Sequence, residues 1–161
     1  MPPFSVFQVA YATGDIDRAA EFFSARFGIP CFRVSRNVRI QTTSGDANCH
    51  FALAQIGGVQ LELIEPAGGS DAVYRDLIGT NQAVNTIRLH HFGCLIRDAA
   101  AWREVVSEIR TEGFATPVCG DFGGMMHYLY ADTRDSLGHY LEYMYQTDAG
   151  AHLFDDVPRY D

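Results

Sequence analysis

The same short phrase occurs twice in this chain of 161 residues: GVQLEL at 58–63 and GHYLEY at 138–143. Each is a glycine, two residues, then Leu-Glu and another large residue. Self-similarity at a fixed spacing means that one supersecondary unit is built twice, which constrains the fold more than any single segment does. The flanking sequence agrees. SVFQVAYA (5–12) has strand composition; Asp15 then stands as an N-cap, and Ile16, Ala19, Ala20, Phe23 and Phe27 recur at helical spacing until Gly28 and Pro30. Strand-like stretches follow at 31–41, 48–56 and 59–65, the last two joined by a tight turn at Gly57-Gly58. After a connection with one short helix, capped by Ser70 or Asp71 and ended by Gly79, the order restarts. RLHHFGCLI (88–96) reads as a strand, Asp98 caps a helix that stops at Gly113, and strand-like stretches lie near 114–121, 126–132 and 139–145.

Laid on each other, QVAYATGDIDRAAEFF from Gln8 and HFGCLIRDAAAWREVV from His91 match Asp15 with Asp98 and Glu21 with Glu104, at a spacing of 83 residues. Glu62 falls on Glu142 at a spacing of 80, a difference that loop lengths absorb. The expected fold is α+β: tandem βαβββ modules forming a curved mixed β-sheet with helices on its outer face. The first module spans 1–66, the connection 67–87, the second module 88–146, and a polar, irregular tail 147–161, all within one fused domain. A chain of this length buries about 70% of its unfolded surface and needs no staples.

Several function classes fall away. A formal net charge of −8 and a pI near 5.1 disfavour a nucleic-acid surface. No apolar run approaches the roughly 20 residues that span a bilayer. The start, MPPFSVFQVAYATGD, lacks the basic n-region of a signal peptide, so a cytoplasmic protein is expected. Cys31, Cys49, Cys94 and Cys119 form no CxxC pair, which suggests reduced, partly buried residues rather than a thiolate zinc site.

Strand alternation puts Gln60, Glu62 and Ile64 on one sheet face and Leu61 and Leu63 on the other; Tyr140, Glu142 and Met144 oppose Leu141 and Tyr143. The first strands place Gln8 and His91 at matching positions, with His90 pointing the opposite way. Each residue alone has a bland reading: a strand glutamine bonded to backbone, a glutamate on a solvated face, a satisfied core histidine. A pseudo-twofold pairing of modules, however, brings Gln8, Glu62, His91 and Glu142 onto one curved surface. One imidazole, two carboxylates and an amide oxygen suit Zn²⁺, Ni²⁺, Co²⁺, Mn²⁺ or Fe²⁺, with room for water or substrate. Two carboxylates in one concavity repel unless a cation or proton joins them.

Through QVAYATGDIDRAAEFF, VQLELIEP, HHFGCLI and SLGHYLEYMY, in that order, the chain resembles the vicinal oxygen chelate superfamily of glyoxalases, methylmalonyl-CoA epimerases, bleomycin resistance proteins and extradiol dioxygenases. The resemblance covers about 4–146 and puts the superfamily's four metal positions on Gln8, Glu62, His91 and Glu142, the ligand set of glyoxalase I. VQLELIEPAG, a short helix and HHFGC look more like the epimerase. Three departures stand out. The epimerases begin with His where Gln8 stands, their catalytic Glu falls near Ala47 with Asp46 beside it, and the glyoxalase arginine falls on Ala12. Ring-opening oxygen chemistry, which uses two His and one Glu, is disfavoured.

The resemblance implies a metal-dependent isomerase, epimerase or lyase acting on a small enolisable substrate held through vicinal oxygens. Glu142 is the first choice for moving the proton and Glu62 the second. It also implies a homodimer. The alternative is a metal-free protein of the same fold that binds or sequesters apolar ligands. His50 and His127 are weaker acid–base candidates. Arg33, Arg36 and Arg39 read as a solvated strand edge, and Phe51, Phe122, Met125, Met126, Tyr128, Tyr130 and Tyr140 as core or pocket wall.

Overall fold

The computed structural model describes residues 5–79 and 86–161. β1 (Gln8–Thr13), α1 (Ile16–Phe27), β2 (Arg33–Thr42), β3 (Gly45–Ile56) and β4 (Val59–Gly69) make the first half. α2 (Ala72–Ile78) lies in the connection, whose stretch 80–85 is outside the described residues. β5 (Ile87–Ile96), α3 (Ala99–Glu112), β6 (Cys119–Phe122), β7 (Met126–Ala131), the single-turn α4 (Arg134–Leu137) and β8 (Tyr140–Gln146) repeat the order. The expected repeat of strand, helix and three strands is therefore what the chain adopts.

The strands run β2-β3-β4-β1-β5-β8-β7-β6 across one sheet. Read outward from the centre, each half has the same sequence of neighbours. β1 and β5 pair antiparallel at the middle, β1 is parallel to β4, and β5 is parallel to β8. The outermost strands approach each other: Thr42 bridges Val118, and Thr43 N donates to the Pro117 carbonyl at 3.0 Å. The sheet is thus curled almost into a barrel, with a concave interior.

Local chemistry sets the helices. Asp15 accepts from Arg18 N at 3.0 Å and Asp98 from Ala101 N at 2.8 Å, satisfying donors that a helix start leaves bare. Gly28 (φ 68°) and Gly113 (φ 76°) end the same two helices in the left-handed region that a Cβ disfavours. Asp71 precedes α2 but does not cap it with its side chain; its carboxylate accepts from Gly68 N and pairs with Arg75. Ile16 and Ala19 pack on Ala52 and Leu63, while Val105 and Ile109 pack on Leu129, Leu141 and Tyr143. Those sheet residues belong to the face opposite Glu62 and Glu142, so α1 and α3 cover the outside and leave the concave face free. Among the described residues no helix is long and apolar enough to cross a membrane.

Two expectations need correction. The stretch 114–118 is not strand; β6 begins at Cys119, since Pro117 has no N–H to give a ladder. The tail is not merely irregular. It turns through a 3-10 helix (Asp148–Gly150) and returns as β9 (Arg159–Tyr160), parallel to β3.

Candidate functional site

The central strands carry the site. In the β1–β4 pair Gln8 stands opposite Gln60, and Ala10 opposite Glu62. In the β5–β8 pair His91 stands opposite Tyr140, and Gly93 opposite Glu142. The two registers correspond position by position. Gln8, Glu62, His91 and Glu142 therefore meet on the concave face, all buried. His91 Nε2 is their common point: Glu142 Oε2 lies at 3.0 Å, Gln8 Oε1 at 3.1 Å and Glu62 Oε2 at 3.4 Å.

The protons can be traced inward. His90 Nε2 is 3.0 Å from the Val73 carbonyl, which can only accept, so that nitrogen carries the hydrogen. Burial holds the His90 imidazole well below its ordinary range, so it is neutral and its Nδ1 accepts. The 2.8 Å contact between His90 Nδ1 and His91 Nδ1 is then a bond donated by His91. Burial, with His139 a lesser cause, holds His91 down at about 3, so it too is neutral. Its Nε2 presents a bare lone pair to three oxygens. Gln8 is oriented similarly: its Nε2 donates to Gln60 Oε1 at 2.7 Å, which turns its own Oε1 toward His91. Gly93 leaves room for it, since a Cβ there would stand 2.9 Å from Gln8 Oε1.

His90 does not point away from His91, as simple alternation requires. β1 pairs Ala10 with His91 and Tyr11 with Leu89, so His90 is an extra residue, a β-bulge that returns its ring to the concave side. It sits there among Tyr74, Tyr130 and Tyr140, with ring centroids 4.9, 5.6 and 5.0 Å away. His90 and Gln60 are the buried polar partners of His91 and Gln8 that the sequence reading did not single out. The His-His doublet and a second polar residue on the face of Glu62 were their only marks.

Burial, and then the neighbouring Glu142, push the Glu62 carboxyl well above the usual range. Burial pushes Glu142 up to about 8. Four electron-pair donors thus face one another, and without a cation a carboxyl proton must sit between Glu142 and His91. Ligand atoms about 2.1 Å from one ion stand about 3.0 Å apart at right angles and about 3.4 Å at the tetrahedral angle. The distances from His91 Nε2 match those edges. Among the described residues, no three His, Cys, Asp or Glu side chains stand as placed in a set that could hold an ion. An ion would therefore have to draw the carboxylate arms in. The donor set fits a divalent cation in chemistry and in its spacing from the imidazole.

Above this polar floor the cavity is apolar, walled by Val38, Phe51, Met126, Tyr128, Leu153 and Phe154 among others. Phe122 and Tyr130 also line it, and the hydroxyls of Tyr130 and Tyr74 meet at 3.2 Å. Tyr140 backs His90 instead, and Met125 packs its backbone on Gly150. The other candidates lie elsewhere. His50 Nδ1 accepts from Asn37 N, and His127 pairs with Asp121 and lies in one cluster with the rings of Trp102 and Tyr145. Arg36 pairs with Asp17 and Arg39 with Asp46, whereas Arg33 lines the cavity. Ala47 and Ala12 are buried and offer no chemistry.

If the relay sets the imidazole, His90→Phe weakens Co²⁺ binding by about 10–100-fold, the usual worth of a partner behind a metal-binding histidine. Unchanged affinity in a cobalt titration would show that His91 needs no such orientation.

The sequence matches the profile of the glyoxalase/bleomycin resistance protein/dioxygenase superfamily over residues 7–123. No curated protein matches it. Similar solved structures include Streptomyces coelicolor methylmalonyl-CoA epimerase with 2-nitronate-propionyl-CoA, at 20% identity and a TM-score of 0.60, covering 88% of this chain and 96% of that one. A hypothetical protein from Bacillus halodurans has 17% identity and a TM-score of 0.57, with 88% and 94% covered. Mycobacterium tuberculosis methylmalonyl-CoA epimerase has 16% identity and a TM-score of 0.56, with 88% and 87% covered. Likeness at such identity speaks to fold.

Proposed function

The chain belongs to the glyoxalase/bleomycin resistance protein/dioxygenase superfamily, and we propose that it is a divalent-metal-dependent isomerase, epimerase or lyase of the glyoxalase type. Its substrate is a small enolisable compound with neighbouring oxygens. Gln8, Glu62, His91 and Glu142 hold the ion. One observation carries the reading: three buried oxygens converge on a lone pair of His91 whose direction is set by two successive hydrogen bonds. The bound ion supplies Lewis acidity to the substrate's oxygens.

The remaining work falls to the chain. Glu142 takes the proton from the carbon beside the carbonyl and returns it to the product. Burial raises this carboxyl when no ion is bound; an ion on it would favour the charged form, so the step requires Glu142 to leave the ion when substrate binds. Glu62, the other carboxylate in the cavity, is the second candidate for that role. His91 and Gln8 stay neutral and positioned, and the apolar walls keep water from the carbanion. The same walls favour a second reading, a metal-free binder of apolar ligands.

Proton exchange separates the two. With Co²⁺ added, the wild type should speed exchange of the carbon-bound protons of hydroxyacetone in D₂O, followed by NMR. Glu142→Gln should lose that acceleration by about 10²–10⁴-fold while keeping its circular dichroism spectrum. Full exchange in the variant would remove Glu142 from the role. No exchange by the wild type with any enolisable ketone would leave the binder.

A further inference from the structure

The tail forms part of the cavity. Leu153 and Phe154 line it from the segment that joins the 3-10 helix to β9. That segment is fastened at several points. Gln55 N donates to the Pro158 carbonyl at 2.7 Å and Gly57 N to the Tyr160 carbonyl at 2.8 Å. Cys31 N donates to Tyr160 Oη at 3.2 Å, and Arg33 donates to the Leu153 carbonyl at 2.8 Å and pairs with Asp156. At the near end Gly150 lies so close that a Cβ would stand 2.1 Å from the Met125 carbonyl oxygen. Phe154 packs on Phe7, with ring centroids 5.7 Å apart.

Charge points the same way. Among the described residues Arg33 is the only cation lining the cavity, and Asp156 already pairs with it. Arg36 and Arg39, further along the same strand, are paired with Asp17 and Asp46. The strap itself exposes Asp155 and Asp156, in a chain of net charge −8. A polyphosphorylated carrier such as coenzyme A needs unpaired cations and an open path beside the reacting group. Neither is here.

We propose that the strap makes this site selective for a compact substrate, an aryl or branched-alkyl hydroxyketone or dicarbonyl carrying at most one negative charge, and that Phe154 is the residue that sets this limit. The apolar body lies among Val38, Phe51, Met126 and Phe154 while its oxygens meet the polar floor. This rests on the enzymatic reading above only for the role of the oxygens.

Calorimetry with two probes tests it: 2-hydroxy-1-phenylethanone and propionyl-CoA, each titrated into full-length protein with and without Co²⁺. The hydroxyketone should bind the wild type at least tenfold more tightly than the thioester. Phe154→Ala should cut that preference at least fivefold, and the milder Phe154→Leu should cut it less, with both spectra native. Equal or tighter binding of propionyl-CoA, binding of neither probe, or an unchanged preference in both variants overturns the proposal. If binding ignores Co²⁺ while the preference and its dependence on Phe154 persist, the strap inference stands and the metal-dependent reading falls.

Discussion

His91→Ala should abolish divalent-ion binding. Wild-type protein purified without a chelator or a histidine tag should carry about one divalent ion per chain by elemental analysis, because a site of this kind fills during folding. The single variant should lose more than the 10–100-fold that an outer partner such as His90 is worth, and His91→Ala with Glu142→Ala should carry none. The reason is geometric. All three oxygens face His91 Nε2, so removing it takes away the one nitrogen and the point on which the oxygens converge. Removal also relieves the crowding of lone pairs, so the variant should fold, and its spectrum and thermal transition check that. A variant with the wild-type ion content would move the site off these residues.

The second large effect is on stability. Glu142 has its folded value raised by burial from 4.5 to about 8, so its contribution to stability is complete below 4.5 and is lost as pH rises through 8. His91 works in the opposite sense: lowered from 6.5 to about 3, its contribution is present above 6.5 and lost as pH falls through 3. Between pH 6.5 and 8, then, the carboxyls act alone, and metal-free protein should lose stability with rising pH. One proton over that range corresponds to about 2 kcal/mol, or a fall in Tm of about 4–8 °C for a chain of this size. Excess Co²⁺ should reverse the trend, since it binds the ionised form. Differential scanning calorimetry of chelator-treated protein reads both. A Tm independent of pH across this window would mean that the two carboxyls are not sharing a dry site.

Much of this was legible in the sequence because the chain states its plan twice. Two helix caps, two glycine stops and two Leu-Glu phrases fix element order, and period-2 alternation fixes which face each glutamate takes. With a pseudo-twofold pairing of the two halves, that brought Gln8, Glu62, His91 and Glu142 together. Alternation failed at His90, where one added residue resets the period; a bulge leaves no mark in composition, since its cause is the pairing of Ala10 and Tyr11 with β5. It failed again in the tail. Nothing in TDAGAHLFDDVPRYD alternates over a useful length, and its order comes from backbone groups that β3 offers and from the fit of Gly150 against Met125. Those are tertiary partners, invisible to any local pattern.

The matched registers have one more consequence. A substrate bound over the seam of β1 and β5 sits on the axis relating the halves, flanked by Glu62 on one side and Glu142 on the other. Were the halves identical, its two faces would meet the same surroundings. The axis is broken where Gln8 answers His91: an amide stands at one matched position and an imidazole at the other, and both carboxylates face the imidazole. On the proposed reading, the two faces of a flat, prochiral intermediate would be told apart by that one exchanged pair of side chains.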